Sequence, residues 1–333
     1  MLNRLSAVML VIALLSNLPE RQSYCGVATA TDSEDAKELI ASAGPPHLDL
    51  MNDQDESGKW GFIVGHSVGD GKKRQWAISP QFDNAWAFGN GAAAVESNGL
   101  WGFVNQRGQF LVKPRYKRVV SFSDGLAAVE VDSKWGYIDL AGDVVIPIQF
   151  DNAGCFSEGL AAVKKDGKWG YVDLRGVIRI PCKFDNADLF VEGIARVYKG
   201  TKVGFIHKNG TPITGFVFDC AEDFHSGQAA VKSDNAWGFV DSSGKVVVPM
   251  KYEAVGPYSD GLARAKLKGK WGFFDLHGKW VLPPLYETAS NFEDGLATVI
   301  QHGELCIIDR SGAKICRRAR NAEGGQERKT GRH

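Results

Sequence analysis

Short runs of alternating apolar and polar residues, separated by turn residues, recur through most of the chain. One clear unit is residues 150–179, FDNAGCFSEGLAAVKKDGKWGYVDLRGVIR. Its turn residues predict four strands, at Phe150–Ala153, Leu160–Lys164, Lys168–Asp173 and Val177–Ile180. Asp166-Gly167 fits a type I′ hairpin turn, in which both central residues need positive φ. Pro181 is expected to end the fourth strand, because proline cannot donate to a sheet ladder.

This unit repeats with a period of 34 residues, and the dipeptide Trp-Gly marks its third strand. The tryptophans of these dipeptides are Trp60, Trp101, Trp135, Trp169, Trp237 and Trp271. A fixed period of this length is typical of repeat architectures, in which neighbouring units supply the core that one unit lacks. Both faces of the third strand are apolar, so successive sheets should pack face to face. The glycine after each tryptophan is expected to leave room for a ring from the next unit.

The predicted fold is all-β, built from tandem antiparallel units across residues 47–316. From Phe82 to Cys316 the aromatic markers of the first strand give seven complete four-stranded units, and His47–Ile78 gives a partial one. This count favours a β-propeller-like arrangement of seven to eight small blades. The alternative is an open β-solenoid, because 34 residues is short for a propeller blade and a solenoid needs no closure.

The unit resembles the WG repeat family, also called KWG repeats. The matching runs of Lys-Trp-Gly, aromatic, apolar and Asp are Lys134–Asp139, Lys168–Asp173 and Lys270–Asp275. The downstream runs Pro-x-x-Phe/Tyr-Asp/Glu-x-Ala and Phe-x-Asp/Glu-Gly-Leu-Ala match too. The resemblance implies a β-rich repeat, found mostly in bacterial and often exported proteins. It implies no shared catalytic residues, so no catalytic residue and no cofactor is assigned.

Residues 1–30 are predicted to form a signal peptide. Arg4 precedes an apolar run, Leu5–Leu18, that is too short for a comfortable membrane span. Ala28-Thr29-Ala30 offers a cleavage site, and residues 31–46 form a linker or a short helix. These features predict export to the periplasm or the extracellular space, without stable membrane insertion after cleavage. An uncleaved anchor is the alternative.

Charge narrows the choice of partner. The formal net charge of the chain is zero at pH 7. This argues against a general nucleic-acid binder, because such a protein needs a basic face for phosphates. The tail at residues 317–333 is basic, has no apolar pattern and is predicted to be disordered. The expected partner is therefore an unknown protein or an envelope polysaccharide, and no nucleic acid is expected.

Two places depart from the repeat and are candidate binding sites. In the unit around Val203, which replaces tryptophan, His207 and His225 break the pattern. In the first unit, an insertion within Gly65–Gln75 holds three basic residues, Lys72, Lys73 and Arg74. Insertions in repeats map to loops, often on the binding face. Drift in a tolerant array is the alternative.

The recurring residues have both structural and functional interpretations. The tryptophans are expected to pack in the core, and a ladder that binds sugars or quaternary amines is the alternative. Five acids at the second hairpin are expected to stabilise turns through backbone hydrogen bonds, with calcium binding as the alternative. These acids are Asp139, Asp173, Asp241, Asp275 and Asp309. No metal site is assigned.

Cys306 and Cys316 flank the last hairpin and are predicted to form a disulfide across two strands. Two reduced, buried thiols are the alternative, and the pairing of Cys155, Cys182 and Cys220 stays open. Together these patterns predict an exported non-catalytic repeat protein that acts as a protein-interaction or scaffold module. A carbohydrate- or envelope-binding protein is the alternative, followed by a hydrolase on a propeller scaffold.

Overall fold

The computed structural model describes residues 50–64 and 75–317. In this part of the chain every regular element is a β-strand, and the strands form eight small antiparallel sheets. None of the described residues lies in a helix that is long and apolar enough to span a membrane. The chain divides into two compact units. The first ends at Ala127 and also includes Leu140–Gly142, and the second holds the rest.

The sheets are numbered in chain order. Sheet 1 consists of β1 (Leu50–Gln54), β2 (Trp60–Val64) and β3 (Trp76–Phe82). Sheet 2 consists of β4 (Asn84–Ala85), β5 (Ala92–Ser97), β6 (Leu100–Asn105) and β7 (Phe110–Tyr116). Sheet 3 consists of β8 (Ala127–Val131), β9 (Lys134–Ile138) and β10 (Val144–Phe150). Sheets 4 and 5 consist of β11 (Asn152–Ser157), β12 (Leu160–Lys165), β13 (Lys168–Asp173) and β14 (Ile178–Phe184); and β15 (Asn186–Val191), β16 (Ile194–Lys199) and β17 (Lys202–His207).

Sheets 6 to 8 complete the described chain. Sheet 6 consists of β18 (Cys220–Ala221), β19 (Gln228–Ser233), β20 (Ala236–Asp241) and β21 (Val246–Tyr252). Sheet 7 consists of β22 (Ala254–Val255), β23 (Ala263–Leu267), β24 (Lys270–Phe274) and β25 (Trp280–Tyr286). Sheet 8 consists of β26 (Thr288–Ala289), β27 (Leu296–Gln301), β28 (Glu304–Asp309) and β29 (Lys314–Arg317). In every sheet, strands that are neighbours in sequence are also neighbours in space.

The fourth strand differs from the prediction, because β14 runs through Pro181 instead of ending there. Trp169 pairs with Phe184 and Tyr171 pairs with Ile180, so β14 carries two extra residues in a bulge. Proline is tolerated here because β14 is an edge strand and its bulge takes Pro181 out of the ladder. Phe184 therefore ends the fourth strand and does not begin the next unit.

The bulge explains the glycine of Trp-Gly. A Cβ atom on Gly170 would lie 2.5 Å from the carbonyl oxygen of Ile180 and 2.6 Å from the backbone nitrogen of Cys182. The expectation that this glycine makes room for a ring of the next unit is wrong, because the backbone of the same sheet fills that space. The same contact with the fourth strand recurs at Gly61, Gly102, Gly136, Gly238 and Gly272.

Aromatic rings join successive sheets within each compact unit. The ring two residues after the Trp position of one unit contacts a ring near the start of the next unit. The ring centroids are 4.7 to 5.0 Å apart. The pairs are Phe62–Phe88 and Phe103–Phe122 in the first unit, and Tyr137–Phe156, Tyr171–Phe190, Phe205–Phe224, Phe239–Tyr258 and Phe273–Phe292 in the second. The predicted face-to-face packing of successive sheets is thus confirmed within each unit.

Two hairpin turns fix the register of sheet 4. Asp166 and Gly167 have φ angles of 52° and 77°, as the predicted type I′ turn requires. Glu158 and Gly159, at the turn before the second strand, also have positive φ, at 53° and 80°. Both turns therefore need residues that tolerate the left-handed region.

A lysine–acid clip connects neighbouring sheets, and it explains the lysine before Trp-Gly. Lys134 Nζ lies 2.6 Å from Asp151 Oδ1, and Asp151 Oδ2 accepts the Gly167 N–H at 3.2 Å. Lys168 pairs with Asp185 in the same way, and Lys202 with Asp219. Where Leu100 replaces the lysine, Lys117 stands at the position of the acid, so both members of the clip have changed together.

These clips predict a loss of stability in acid. The hydrogen bond from Lys168, with that from Gly200 N–H, holds the pKa of Asp185 below its ordinary value of 3.8. The stabilisation is complete above that ordinary value and is lost as the pH falls through the lowered pKa of the folded state. We expect Asp185→Asn to lose less stability than wild type between neutral pH and acid, measured as urea midpoints. Asp132→Asn is the control, and an unchanged pH dependence in Asp185→Asn would contradict the prediction.

Candidate functional site

The Trp-Gly tryptophans lie against the cores of their sheets. Trp135 is 5% exposed, and the other five tryptophans are half-buried. Trp169 packs on the cluster that contains Phe184 and Phe190, and Trp271 packs on the cluster that contains Phe292. This placement fits a packing role better than a ladder of freely exposed rings.

The acids of the second hairpin bind backbone groups of their own turns. Asp173 Oδ1 accepts N–H groups of Arg175 at 3.0 Å and Val177 at 2.9 Å. Asp241, Asp275 and Asp309 accept the equivalent pairs of N–H groups, and Asp139 accepts one from Asp143. Among the described residues, no group of three or more His, Cys, Asp or Glu is placed to hold a metal ion.

His207 and His225 lie in hairpins of neighbouring sheets, and both are exposed. Their backbone groups close turns: His207 N–H donates to Thr211 O at 2.9 Å, and His225 N–H donates to Gln228 O at 2.8 Å. The second candidate site, Lys72, Lys73 and Arg74, lies outside the described residues. The same holds for the predicted signal peptide, the linker at 31–46 and nearly all of the basic tail.

The backbone register places Cys306 directly opposite Cys316 on the last hairpin, and Cys306 is disulfide-bonded. We expect a single disulfide between these two residues, seen as one linked peptide pair by mass spectrometry under non-reducing conditions. Cys182 and Cys220 are free thiols, so their alkylation without reductant serves as the internal control. Alkylation of Cys306 in the native, unreduced protein would contradict the pairing.

The described structure brings together a charged cluster that the sequence pattern did not identify. We call Asp188, Arg196, Tyr198 and Asp223 the Arg196 cluster. Arg196 Nη2 lies 2.9 Å from Asp188 Oδ2, and its Nη1 donates to the carbonyl of Ala221 at 2.5 Å. Arg196 Nε lies 3.0 Å from Asp223 Oδ1, as an ion pair outside the hydrogen-bonding direction. Tyr198 Oη donates to Asp188 at 2.8 Å.

Two sheets supply this cluster. Asp188 lies on β15 and Arg196 on β16, whereas Asp223 follows β18 of the next sheet. Burial by itself lowers the pKa of Arg196, but the carboxylates of Asp188 and Asp223 outweigh burial and raise that pKa. The cluster therefore holds a half-buried guanidinium in its charged form and connects sheet 5 to sheet 6.

One sequence feature points to this cluster. Arg196 replaces an alanine that recurs in phase, at Ala94, Ala128, Ala162 and Ala230. Arg264 makes the same replacement two repeats later, and its Nη1 donates to the carbonyl of Ala289. Its guanidinium carbon also lies 5.0 Å from the centre of the Trp271 ring. An arginine at an alanine position of the second strand thus marks both places.

The repeat itself settles the family. The family model for the WG containing repeat matches seven consecutive segments, at residues 71–101, 101–135, 135–169, 169–202, 204–235, 237–271 and 271–304. The chain belongs to the WG containing repeat family. A search of the curated proteins gives no match.

Two solved structures are similar to this WG-repeat chain at low sequence identity. One is described as the crystal structure of the eukaryotic initiation factor; it is 14% identical, with 81% of this chain and 84% of that chain covered and a TM-score of 0.51. BamB from Moraxella catarrhalis is 10% identical, with 84% and 94% covered and a TM-score of 0.43. The WG-repeat chain thus has an all-β, β-propeller-like fold of eight small described sheets, as predicted.

Proposed function

We propose that this WG-repeat chain is an exported, non-catalytic protein-interaction module. The recurring residues support the non-catalytic part of this proposal, because each has a structural role in the fold. The glycine of Trp-Gly lies against the fourth strand, the lysine clips neighbouring sheets, and the hairpin aspartate holds its own turn. Repeat folds of this kind offer surfaces for partners, with specificity carried by the positions that the fold leaves exposed.

The observation that carries the proposal is a recurring apolar position on the edge strands of the second compact unit. Val144, Ile178 and Val246 occupy the same place on β10, β14 and β21, and they are 55%, 41% and 46% exposed. Single exposed apolar side chains are normal on protein surfaces, so it is their recurrence at one position of the repeat, and not their exposure alone, that supports the proposal. Prolines in the same strands limit pairing through the backbone, so the side chains supply the contact.

The test compares partner binding in two variants. Cross-linking in an envelope extract identifies a protein partner of the wild-type chain. The triple variant Val144→Ser/Ile178→Ser/Val246→Ser should no longer cross-link to this partner, and it should bind the purified partner about tenfold more weakly. The matched control, Leu174→Ser/Leu296→Ser, removes exposed apolar side chains away from the fourth strands and should retain the partner. Equal loss in both variants would contradict the proposal. Binding to a glycan array without any protein partner would favour the carbohydrate alternative.

Export is tested separately, with the full sequence expressed in a host that has a secretory pathway. Cleavage after Ala30 predicts a mature chain that begins at Thr31. N-terminal sequencing of the exported protein checks the bond, and an Ala28→Lys/Ala30→Lys variant should accumulate as the precursor. Efficient export of that variant with the same N-terminus would contradict the predicted site.

A further inference from the structure

Sheet 2 carries a group of basic residues at its edge. Lys113 and Arg115 lie on the edge strand β7, Lys117 and Arg118 follow it directly, and all four residues are exposed. They fall within six consecutive residues, which span at most about 18 Å of extended chain. We call these four residues the basic edge. All of them belong to the first compact unit.

The acids of the repeat are missing from this part of the chain. Residues 97–123 contain five basic residues and no Asp or Glu. Three positions that carry an acid two repeats later are neutral or basic here. They are Asn98, Asn105 and Lys117, at the places of Asp166, Asp173 and Asp185. Asn105 Oδ1 still accepts N–H groups of Arg107 and Gln109, each at 3.0 Å, so this hairpin keeps its turn and loses only the charge.

Three members of the basic edge, Lys113, Arg115 and Lys117, form no ion pair with a carboxylate in the described part of the chain. Arg115 Nη2 donates to the carbonyl of Gly142 at 2.9 Å, and the Arg115 guanidinium carbon lies 5.0 Å from the centre of the Tyr116 ring. These neutral contacts hold the guanidinium at the surface and leave its charge uncompensated. The basic edge thus differs from the Arg196 cluster, in which carboxylates of the same chain neutralise the arginine.

The repeat gives Lys117 no structural role. Its counterparts Asp151 and Asp185 each pair with the lysine before a Trp-Gly dipeptide and accept the N–H of a hairpin glycine. A lysine cannot accept a hydrogen bond, and Leu100 occupies the position of the pairing lysine here. An exposed charge that takes no part in the contacts of the repeat is available to a partner.

We propose that the basic edge binds an acidic segment of a partner protein. The proposal rests on the proposed function as a protein-interaction module. Two lysines and two arginines within about 18 Å match a short peptide segment that carries several carboxylates. A guanidinium binds a carboxylate with two parallel hydrogen bonds, and a lysine ammonium adds a point charge. Exposed charges of one sign also steer an acidic partner to the surface, over about 8 Å at physiological ionic strength.

Two observations favour a protein over a polyanion such as nucleic acid or an acidic polysaccharide. Phe110 begins β7, is 43% exposed and occupies the place of Val144 in the repeat. An exposed aromatic ring in the same strand as the cations suits a partner segment with both apolar and acidic side chains. The basic surface is also short, and the formal net charge of the chain is zero, whereas a nucleic-acid binder needs an extended basic face.

The test titrates the purified chain into the peptide acetyl-Leu-Asp-Glu-Leu-Asp-Glu, labelled at its C-terminus, and reads binding as fluorescence anisotropy. The control peptide has Asn and Gln in place of Asp and Glu. The acidic peptide should bind saturably and lose affinity about tenfold between about 50 and about 250 mM NaCl, because salt screens exposed charges. The control peptide should not bind. Carbodiimide coupling, which joins a carboxylate to an amine, should link the acidic peptide to Lys113 or Lys117.

Lys117→Asp introduces the residue type that the repeat has at this position, and it should weaken binding of the acidic peptide about tenfold. Lys268→Asp is the matched control, because it makes the same change at an exposed hairpin position of sheet 7, where Asp234 stands one repeat earlier. This control should leave binding unchanged. Leu100→Lys/Lys117→Asp rebuilds the lysine–acid clip, so it tests the same loss of binding in a variant that the repeat itself supports.

Absence of saturable binding by the acidic peptide would overturn the proposal, as would equal affinities of Lys117→Asp and Lys268→Asp. Cross-links confined to lysines outside the basic edge would overturn the location of the site. Binding of polygalacturonate or of a DNA duplex, without binding of the peptide, would overturn the assignment to a protein partner. Failure of the proposed function remains distinguishable, because its variants lie on β10, β14 and β21 and the peptide is a defined probe.

Discussion

Replacing Gly170 by alanine is expected to lower the free energy of unfolding by about 3 kcal/mol, the upper part of the range for overpacked sites. The added Cβ would lie within 2.6 Å of backbone atoms of Ile180 and Cys182. Side chains can often move away from a new methyl group, but these atoms belong to the bulge of β14. Relief would require the fourth strand to leave its ladder, which would expose the edge of sheet 4. Urea denaturation of the purified chain measures the loss.

Gly154→Ala is the matched control, because it makes the same chemical change in the same sheet. Its added Cβ would meet only the carbonyl oxygen and the Cβ of Ala162, at 3.5 and 3.9 Å, which are ordinary van der Waals distances. We expect a change within about 1 kcal/mol for this variant. Equal effects of the two substitutions would show that the bulge does not impose the glycine, and the steric explanation of Trp-Gly would fail.

The period and the turns are predictable from sequence because they depend on local rules. Asp166-Gly167 has the chemistry of a type I′ turn, and its φ angles follow. The fourth strand is not predictable in the same way. Pro181 predicts the end of a strand, although an edge strand with a bulge accepts proline. The role of Gly170 depends on that bulge, so an error about the strand becomes an error about the glycine.

The charged cluster escapes prediction for a different reason. Departures around Val203 point to the exposed residues His207 and His225. The cluster instead depends on Arg196, one strand earlier, and on acids from two neighbouring sheets. Such contacts follow from how sheets stack, which the pattern along one strand does not give. The replacement of a recurring alanine by arginine is visible in the sequence and is the better indicator of where charge enters the stack.

Replacing Arg196 by methionine is expected to lower the free energy of unfolding by about 2 kcal/mol, less than the loss for a fully buried ion pair. The Arg196 side chain is 18% exposed, so solvent weakens its attraction to Asp188 and Asp223 only in part. The variant keeps most of the apolar stem but leaves two carboxylates near each other, and it removes the donor to the carbonyl of Ala221. Thermal and urea unfolding measure the loss.

Arg179→Met is the control, since Arg179 also pairs with an aspartate, Asp173, but is 55% exposed. An exposed pair of this kind contributes about 0 to 1 kcal/mol. A double-mutant cycle of Arg196→Met with Asp188→Asn separates the charge interaction from packing, because a paired contact makes the double variant less destabilised than the sum of the single variants. If the two substitutions were additive, the ion pair between Arg196 and Asp188 would contribute no measurable stability.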